Sequence, residues 1–227
     1  MGNVKGLTEF IVMSKHNDEN QWRSPAHALD YLSRADQIPH RTEGEALVLE
    51  LVPQSVKRVL DLGTGQGRLL ALLKIERPMM IGIGLDFSET MLAEAEKRFD
   101  GDETVSLVRA NMDEPLPELG TFDGIVSSFA IHHCEDERKR SLYQEIFQLL
   151  KPGGIFCNLE HVASPTEKLH REFLLAIGYP PDFHDPSNKL LDVETQLQWF
   201  REIGFSEVDC YWKWREMALL VGCRPES

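Results

Sequence analysis

One run of nine residues, 59–67, constrains the fold more than any other part of the chain. It reads VLDLGTGQG, an apolar strand pattern ending in three glycines at alternate positions, and a helical pattern follows from Arg68. Glycine supplies backbone angles that other residues avoid, and it lets the main chain lie close to a ligand. A strand, a glycine turn and a helix N-terminus in this order are typical of the first unit of a nucleotide-binding α/β domain.

The spacing of these glycines is G-x-G-x-G, which differs from the G-x-G-x-x-G of dinucleotide-binding folds. Asp61, at the end of the strand, would repel a pyrophosphate and attract a cation. The segment resembles motif I of the class I S-adenosylmethionine-dependent methyltransferases, in which the turn holds the amino acid and ribose parts of the cofactor. That resemblance implies that S-adenosyl-L-methionine is the cofactor and that Asp61, Gly63, Gly65 and Gly67 contact it.

A second apolar run, residues 79–85, ends in Asp86. This acid follows the glycine turn by roughly 20 residues, the place where a carboxylate at the end of the second strand holds a ribose diol. Phe87 is placed to lie against the adenine ring. Ser88 is expected to cap the helix that follows, because its hydroxyl can accept a hydrogen bond from a free backbone N–H.

A third strand, residues 105–109, leads into the segment ANMDEPLP at 110–117. This segment resembles the methyltransferase pattern G-D-A-x-x-L-P, whose acid contacts the adenine amino group. Here Met112 occupies the usual position of the acid, and Asp113 follows it. Two hypotheses remain open: Asp113 makes the contact, or the backbone N–H and side chain of Met112 bind the ring.

Two further segments complete the resemblance, which covers residues 58–159. Residues 121–133, TFDGIVSSFAIHH, resemble the motif around the fourth strand, and they add Ser128 to the predicted cofactor contacts. Residues 150–154, LKPGG, resemble the turn into the fifth strand. The family implies a Rossmann-like three-layer α/β sandwich. Its seven-stranded sheet is mostly parallel with the last strand antiparallel, and it carries N-terminal helices and a lid inserted after strand 5.

The rest of the chain is assigned around this frame. Residues 1–21 are predicted to be a flexible N-terminal segment, and residues 22–227 a single methyltransferase domain. Within it, residues 22–54 are expected to form covering helices, one from Ser24 and one over residues 45–51. About 45 residues separate strand 5 from strand 6, more than a crossover needs. Residues 161–190 are therefore predicted to be a lid, followed by strands at 204–211 and 216–223.

Composition limits the partners. The 227 residues carry a formal net charge of −13, with 42% hydrophobic residues. Such a surface repels a polyanion, so nucleic acid is not expected and a small-molecule acceptor is favoured. No run approaches the roughly 20 apolar residues of a membrane span, and no signal pattern is present. The four cysteines are scattered, so neither metal nor disulfide is expected. We expect a cytoplasmic monomer or homodimer.

Three histidines are candidates for catalysis. His132 and His133 follow strand 4, and His161 ends strand 5. Adjacent residues cannot both point into one pocket, so at most one of His132 and His133 is catalytic. The alternative is that they are helix-entry residues near the methionine end of the cofactor. A metal site at residues 132–134 is not expected, because contiguous ligands cannot close a tetrahedron.

Two other segments carry alternatives. Arg41 and Tyr31 could bind a carboxylate of the cofactor or of the acceptor, and the opposing interpretation is a solvated arginine. The segment YWKWR at 211–215 is placed between strands 6 and 7. Its aromatic side chains either pack in a hairpin or line an acceptor pocket beside Lys213 and Arg215.

The predicted function is methyl transfer from S-adenosylmethionine to a small-molecule acceptor, at oxygen or nitrogen rather than carbon. One alternative is an enzyme similar to carboxy-S-adenosylmethionine synthase, in which Arg41 or Arg215 would contact the added carboxylate. The other is a non-catalytic regulatory protein that only binds the cofactor, since a complete cofactor site does not prove turnover.

Overall fold

The computed structural model of the protein describes Ser24, Ala26 and residues 38–226. The predicted N-terminal segment, most of the first covering helix and Tyr31 lie outside these residues. The strands are β1 (Arg58–Leu62), β2 (Ile81–Asp86), β3 (Val105–Arg109), β4 (Phe122–Ser128), β5 (Leu150–His161), β6 (Ser206–Trp214) and β7 (Met217–Cys223). The α-helices are α1 (Arg41–Leu51), α2 (Arg68–Glu76), α3 (Glu89–Arg98), α4 (Asp136–Leu149), α5 (Glu167–Ala176) and α6 (Val193–Ile203). A single 3₁₀ turn, Ile131–His133, follows β4.

The strands form one seven-stranded sheet in the order β3-β2-β1-β4-β5-β7-β6. Strands β1 to β5 pair in parallel, and β7 runs antiparallel to both β5 and β6. This confirms the predicted fold class. Strands β1 and β4 are neighbours although two strands separate them in the sequence, so chain connections leave this point in opposite directions. Ligands of open α/β sheets bind beyond the carboxyl ends of the strands at such a point.

Two apolar layers cover the sheet, because successive side chains of a strand point to opposite faces. On one face Leu60 and Phe156 belong to the same core as Leu142 of α4 and Phe200 of α6. On the other face, strand residues pack with helices α1 and α2 in a second core that contains Val48, Val59, Leu70, Val126 and Cys157. The result is a three-layer sandwich whose interior holds the strands rigidly.

Helix α1 begins one turn before the predicted start at residue 45. Gly44, which directly precedes the predicted start, lies inside the helix. A Cβ built on Gly44 would lie 2.6 Å from Leu159 Cδ1 and 3.2 Å from Trp212. The glycine therefore allows α1 to pack closely on β5, and this contact outweighs the low helix propensity of glycine. The predicted cap is confirmed, since Ser88 Oγ accepts a hydrogen bond from Met91 N.

Strand β6 extends three residues beyond its predicted end. The aromatic segment 211–215 was expected between strands 6 and 7, but residues 211–214 lie within β6 and exposure alternates along them. Trp212 and Trp214 are half-buried against Phe173 and Met217, whereas Tyr211 is exposed. The turn to β7 is consequently short and consists of Arg215 and Glu216.

The connection from β5 to β6 contains two helices, α5 and α6, joined by a long loop. The role of residues 161–190 as a lid stays a prediction. Over the described part of the chain, no helix combines the length and apolar character needed to cross a membrane.

Replacing Gly67 by alanine tests how the glycine turn is packed. Gly67 has φ +77°, and an added Cβ would lie 2.3 Å from Phe99 Cε2. We expect a loss of roughly 2–5 kcal/mol in the free energy of unfolding, from left-handed strain plus overpacking. Gly101→Ala is the matched control, since φ is +79° there but nothing lies within 4 Å. It should cost only about 1–2 kcal/mol. Equal losses in urea denaturation would contradict the packing argument.

Candidate functional site

A cleft lies beyond the carboxyl ends of β1, β2 and β4, where the fold places ligands. Most residues predicted to contact the cofactor line it, namely Arg41, Asp61, Gly63, Gly65, Asp86, Phe87, Met112, Asp113 and Ser128. Gly67 is not part of this wall and instead forms the N-cap of α2. Met112 and Asp113 both line the cleft, so the two hypotheses about the adenine contact remain open.

Other residues of the wall were not identified from the sequence. The motif could have indicated some of them, because Thr64 and Gln66 occupy the variable positions between the glycines. The rest come from several elements and meet only on folding: Arg68, Leu69, Leu85, Met91, Ala110, Asn111, Phe129, Ala130 and Cys134.

The glycine turn fits the fold on one side and faces the cleft on the other. A Cβ on Gly63 would lie 2.2 Å from Ala130 Cβ, so this position admits no side chain. A Cβ on Gly65 would meet only Met91 Sδ, at 3.9 Å, and would stand in the cleft itself. The turn therefore presents bare main chain to a ligand, as a cofactor cradle requires.

Asp86 joins the turn to the second strand. Its Oδ2 accepts a hydrogen bond from Gly65 N at 2.8 Å, and its Oδ1 accepts one from Ser88 N at 2.9 Å. Burial raises the pKa of this carboxyl, and the backbone N–H groups oppose that effect. Each carboxylate oxygen can accept a further hydrogen bond, so the remaining lone pairs suit the two hydroxyls of a ribose.

Two buried side-chain oxygens at the cleft make no hydrogen bond to the described residues. Asp61 Oδ2 accepts the Thr64 hydroxyl at 2.7 Å, but Asp61 Oδ1 and Ser128 Oγ have no hydrogen-bond partner among the residues that the structure describes. Burial raises the pKa of Asp61 to about 7, with a smaller contribution from nearby Asp86. Leaving buried polar atoms unsatisfied is costly, so a ligand that brings a cation and hydrogen-bond donors would fit here.

An arginine cluster also lines the cleft. The buried carboxylate of Glu45 accepts hydrogen bonds from Arg41 Nε at 2.9 Å and from Arg68 Nε at 2.8 Å. Arg41 is 6% exposed, and its guanidinium lies over the Phe129 ring at 5.4 Å. This placement contradicts a solvated Arg41. Two guanidiniums at the cleft can balance a carboxylate, and the sequence could not indicate Glu45 because no motif contains it.

The two adjacent histidines point to different places. His133 lines the cleft, and its Nδ1 lies 3.1 Å from Ser187 O. Burial lowers the pKa of His133 to about 3, so its imidazole is neutral at physiological pH. His132 faces Glu160, with Nδ1 at 2.6 Å from Oε1. Burial lowers the pKa of His132 and raises that of Glu160 to about 7, which favours a neutral pair.

His161 lies at the end of β5, and its side chain is 16% exposed, whereas that of His132 is 7% exposed. Its Nε2 is 3.0 Å from Oε2 of Glu216, whose side chain is fully buried in the β6–β7 turn. Burial opposes ionisation of Glu216, yet hydrogen bonds from His161, Ser164 and His170 hold its pKa below the usual range. The imidazole rings of His161, His132 and His133 form a series that reaches the cleft. The ring centroid of His161 is 5.4 Å from that of His132, which is 4.0 Å from that of His133.

Comparison with known proteins supports one family. The family model described as "Methyltransferase domain" matches residues 59–154. A demethylmenaquinone methyltransferase of Clavibacter sepedonicus is 26% identical over 174 residues, which are 70% of this chain and 69% of that protein. These similarities support a class I S-adenosylmethionine-dependent methyltransferase. They also support S-adenosylmethionine as the cofactor.

Two other similarities bear on the range of chemistry. A carboxy-S-adenosyl-L-methionine synthase of Campylobacter concisus is 25% identical over 185 residues, 74% of this chain and 77% of that protein. A solved O-methyltransferase family protein from Burkholderia thailandensis superposes with a TM-score of 0.73 at 21% identity. The match covers 92% of this chain but only 63% of the Burkholderia chain, and at this identity it establishes the fold alone.

Exchange of Asp86 for alanine tests the ribose contact in this methyltransferase. Losing a charged hydrogen-bond acceptor should weaken binding of S-adenosylhomocysteine by roughly 2–3 kcal/mol in calorimetry. Glu96→Ala, an exposed acid on α3, is the control and should leave binding unchanged. Unchanged affinity in Asp86→Ala would contradict the assignment.

The raised pKa of Asp61 predicts a pH-dependent affinity. A cationic cofactor binds better to the ionised carboxylate, so the affinity for S-adenosylmethionine should rise as the pH approaches about 7 from below, with release of a proton. Asp61→Asn should lower the affinity and flatten this dependence, whereas the same Glu96→Ala control should retain it. Calorimetry in buffers of different ionisation enthalpy measures the proton release, and its absence would refute the prediction.

Proposed function

We propose that this methyltransferase transfers a methyl group to an oxygen or nitrogen of a small molecule, with His161 as the general base. The observation that carries the proposal is the pairing of His161, at the carboxyl end of β5, with Glu216 at 3.0 Å. A methyl acceptor with an O–H or N–H loses a proton, and a positioned imidazole is suited to take it.

The cleft residues would divide the work between binding and orientation. When bound, S-adenosylmethionine supplies a methyl carbon already activated by its sulfonium. Asp86 and the glycine turn would hold the nucleoside, and the Arg41–Glu45–Arg68 cluster would face the carboxylate of the methionine part. His133, neutral and facing the cleft, would exclude water near the methionine end.

His161 would act on the acceptor. With the Nε2 proton donated to Glu216, Nδ1 carries the lone pair that takes the acceptor proton. As that proton moves to Nδ1, the acceptor oxygen or nitrogen bonds to the methyl carbon, and the broken carbon–sulfur bond leaves its electron pair on sulfur. The products are the methylated acceptor, S-adenosylhomocysteine and a protonated His161, which returns its proton to solvent.

Charge supports a small acceptor. The net charge of −13 disfavours approach of a nucleic acid. Aromatic rings lie near the proposed base instead. The ring centroid of Phe173 is 5.2 Å from that of His161 and 6.2 Å from that of Trp214. Apolar walls with a few polar groups are typical of sites for small organic ligands.

A carboxylated donor is the second candidate, and Arg41 is the observation that favours it. Arg41 lines the cleft, where a carboxylate added to the cofactor would need a cation. Arg215 is the weaker choice, because its guanidinium lies over Trp214 and 3.9 Å from Glu172. Mass spectrometry of the nucleoside products distinguishes a carboxylated nucleoside from S-adenosylhomocysteine.

Methyl transfer is tested by incubating the protein with radiolabelled S-adenosylmethionine and fractionated metabolite pools. Against the acceptor so found, His161→Ala should lower kcat by at least about 100-fold, while affinity for S-adenosylhomocysteine changes less than about twofold. His184→Ala, an exposed histidine in the loop after α5, is the control and should keep full activity. Cofactor binding without transfer to any pool would favour a regulatory protein and sink the proposal.

A further inference from the structure

The turn between β6 and β7 carries a carboxylate at the meeting point of three segments. The backbone carbonyl of Glu216 accepts a hydrogen bond from Val162 N at 2.7 Å. Its side chain reaches His161 of β5 through Oε2, and His170 of α5 through Oε1 at 2.9 Å. Hairpin turns normally expose polar side chains, yet Glu216 is 0% exposed. An enclosed carboxylate in such a place needs a reason beyond turn formation.

A carboxylate shared by two imidazoles fixes where both carry their protons. An ionised carboxylate only accepts hydrogen bonds, so each ring must present an N–H to it. His161 therefore holds its proton on Nε2 and leaves the lone pair on Nδ1. His170 holds a proton on Nδ1. An amide at this position could satisfy one N–H with its oxygen, but its NH₂ group would oppose the other.

Helix α5 closes the other side of this carboxylate. Phe173 and Leu174 of α5 are buried against Met217, whereas Leu169 and Leu175 are 43% and 59% exposed. The helix thus docks through one narrow apolar face and the His170–Glu216 hydrogen bond. Moving α5 away would open Glu216 to water, and a solvated carboxylate holds His161 less firmly.

We propose that Glu216 is a positioning residue shared by the sheet and the predicted lid, which holds His161 with its proton on Nε2 while α5 is docked through His170. Docking of α5 then covers the place where the acceptor would bind, and it presents the Nδ1 lone pair of His161 at the same time. The catalytic meaning rests on the proposed function, in which His161 is the base. The junction itself does not, because its geometry is independent of any ligand.

Several charged and titratable groups surround the junction and must be considered in any titration. They come from β5, the 3₁₀ turn, α4, α5 and the β6–β7 turn, and they are Glu160, His132, Lys139, His170, Glu172, Arg215 and Glu216. Glu216 is the member that binds His161 side chain to side chain, so its replacement should act on His161 most strongly.

The test follows the imidazoles directly and requires no acceptor. The full chain, labelled with ¹⁵N in its histidines and bound to S-adenosylhomocysteine, is titrated by NMR, and amide exchange of α5 is followed by mass spectrometry. Glu216→Gln removes the carboxylate charge that His161 contacts through Nε2 at 3.0 Å. The Nε2–H preference should be lost, and exchange in residues 167–177 should rise at least about tenfold.

His170→Gln tests the coupling. It should speed exchange in α5 and weaken the Nε2–H preference of His161, although His161 and Glu216 are untouched. Glu167→Gln, on the exposed first turn of α5, is the matched control and should alter neither. Glu216→Asp should restore the Nε2–H form, and it keeps the question answerable if Glu216→Gln does not fold.

Two outcomes would overturn the proposal: an unchanged His161 in Glu216→Gln, or faster exchange in His170→Gln with no change at His161. Failure of the proposed function is distinguishable. If S-adenosylhomocysteine does not bind, or if His161→Ala retains methyl transfer, the proposed function fails. The same NMR and exchange measurements on the ligand-free chain still decide whether Glu216 couples α5 to His161.

Discussion

The site depends on one carboxylate that holds two parts of the backbone together. Asp86 ends β2 and accepts the N–H of Gly65, so the glycine turn after β1 is fixed to the neighbouring strand. The parallel pairing of Asp61 with Gly84 and Leu62 with Leu85 places both strand ends at the same level. Without that register the carboxylate would miss the turn, and the bare main chain would have no fixed orientation toward the cofactor.

The positions where the strands and helices end determine which charges line the cleft. Asp61 and Asp86 come from strand ends, Arg41 and Arg68 come from helices α1 and α2, and all four line the cleft. S-Adenosylmethionine brings a sulfonium and an ammonium together with a carboxylate, so a cleft with both signs of charge is complementary to it. The Glu45 carboxylate keeps the two guanidiniums side by side, where mutual repulsion would otherwise separate them.

Features that depend on residues close together in the sequence could be predicted. Features formed by residues that are distant in the sequence and meet only on folding could not. The glycine turn, Asp86 and the Ser88 cap each depend on neighbours within a few positions, and the structure places them as expected. Glu45 and Glu216 belong to no motif, and their partners lie on other elements. The sequence predicts a helix that starts only after Gly44, because the reason for a glycine inside α1, its close contact with Leu159, is tertiary.

Reversal of the last strand has a wider effect on the architecture. Because β7 runs antiparallel to β5, its first residue, Met217, pairs with His161. The β6–β7 turn therefore lies at the carboxyl end of β5. An all-parallel sheet would put that turn at the far end of the molecule. Under the proposed function, residues of the first half of the chain would bind the nucleoside, and His161 of the second half would take the acceptor proton. Changes in hairpin length could therefore alter which molecules are methylated while leaving the cofactor grip intact.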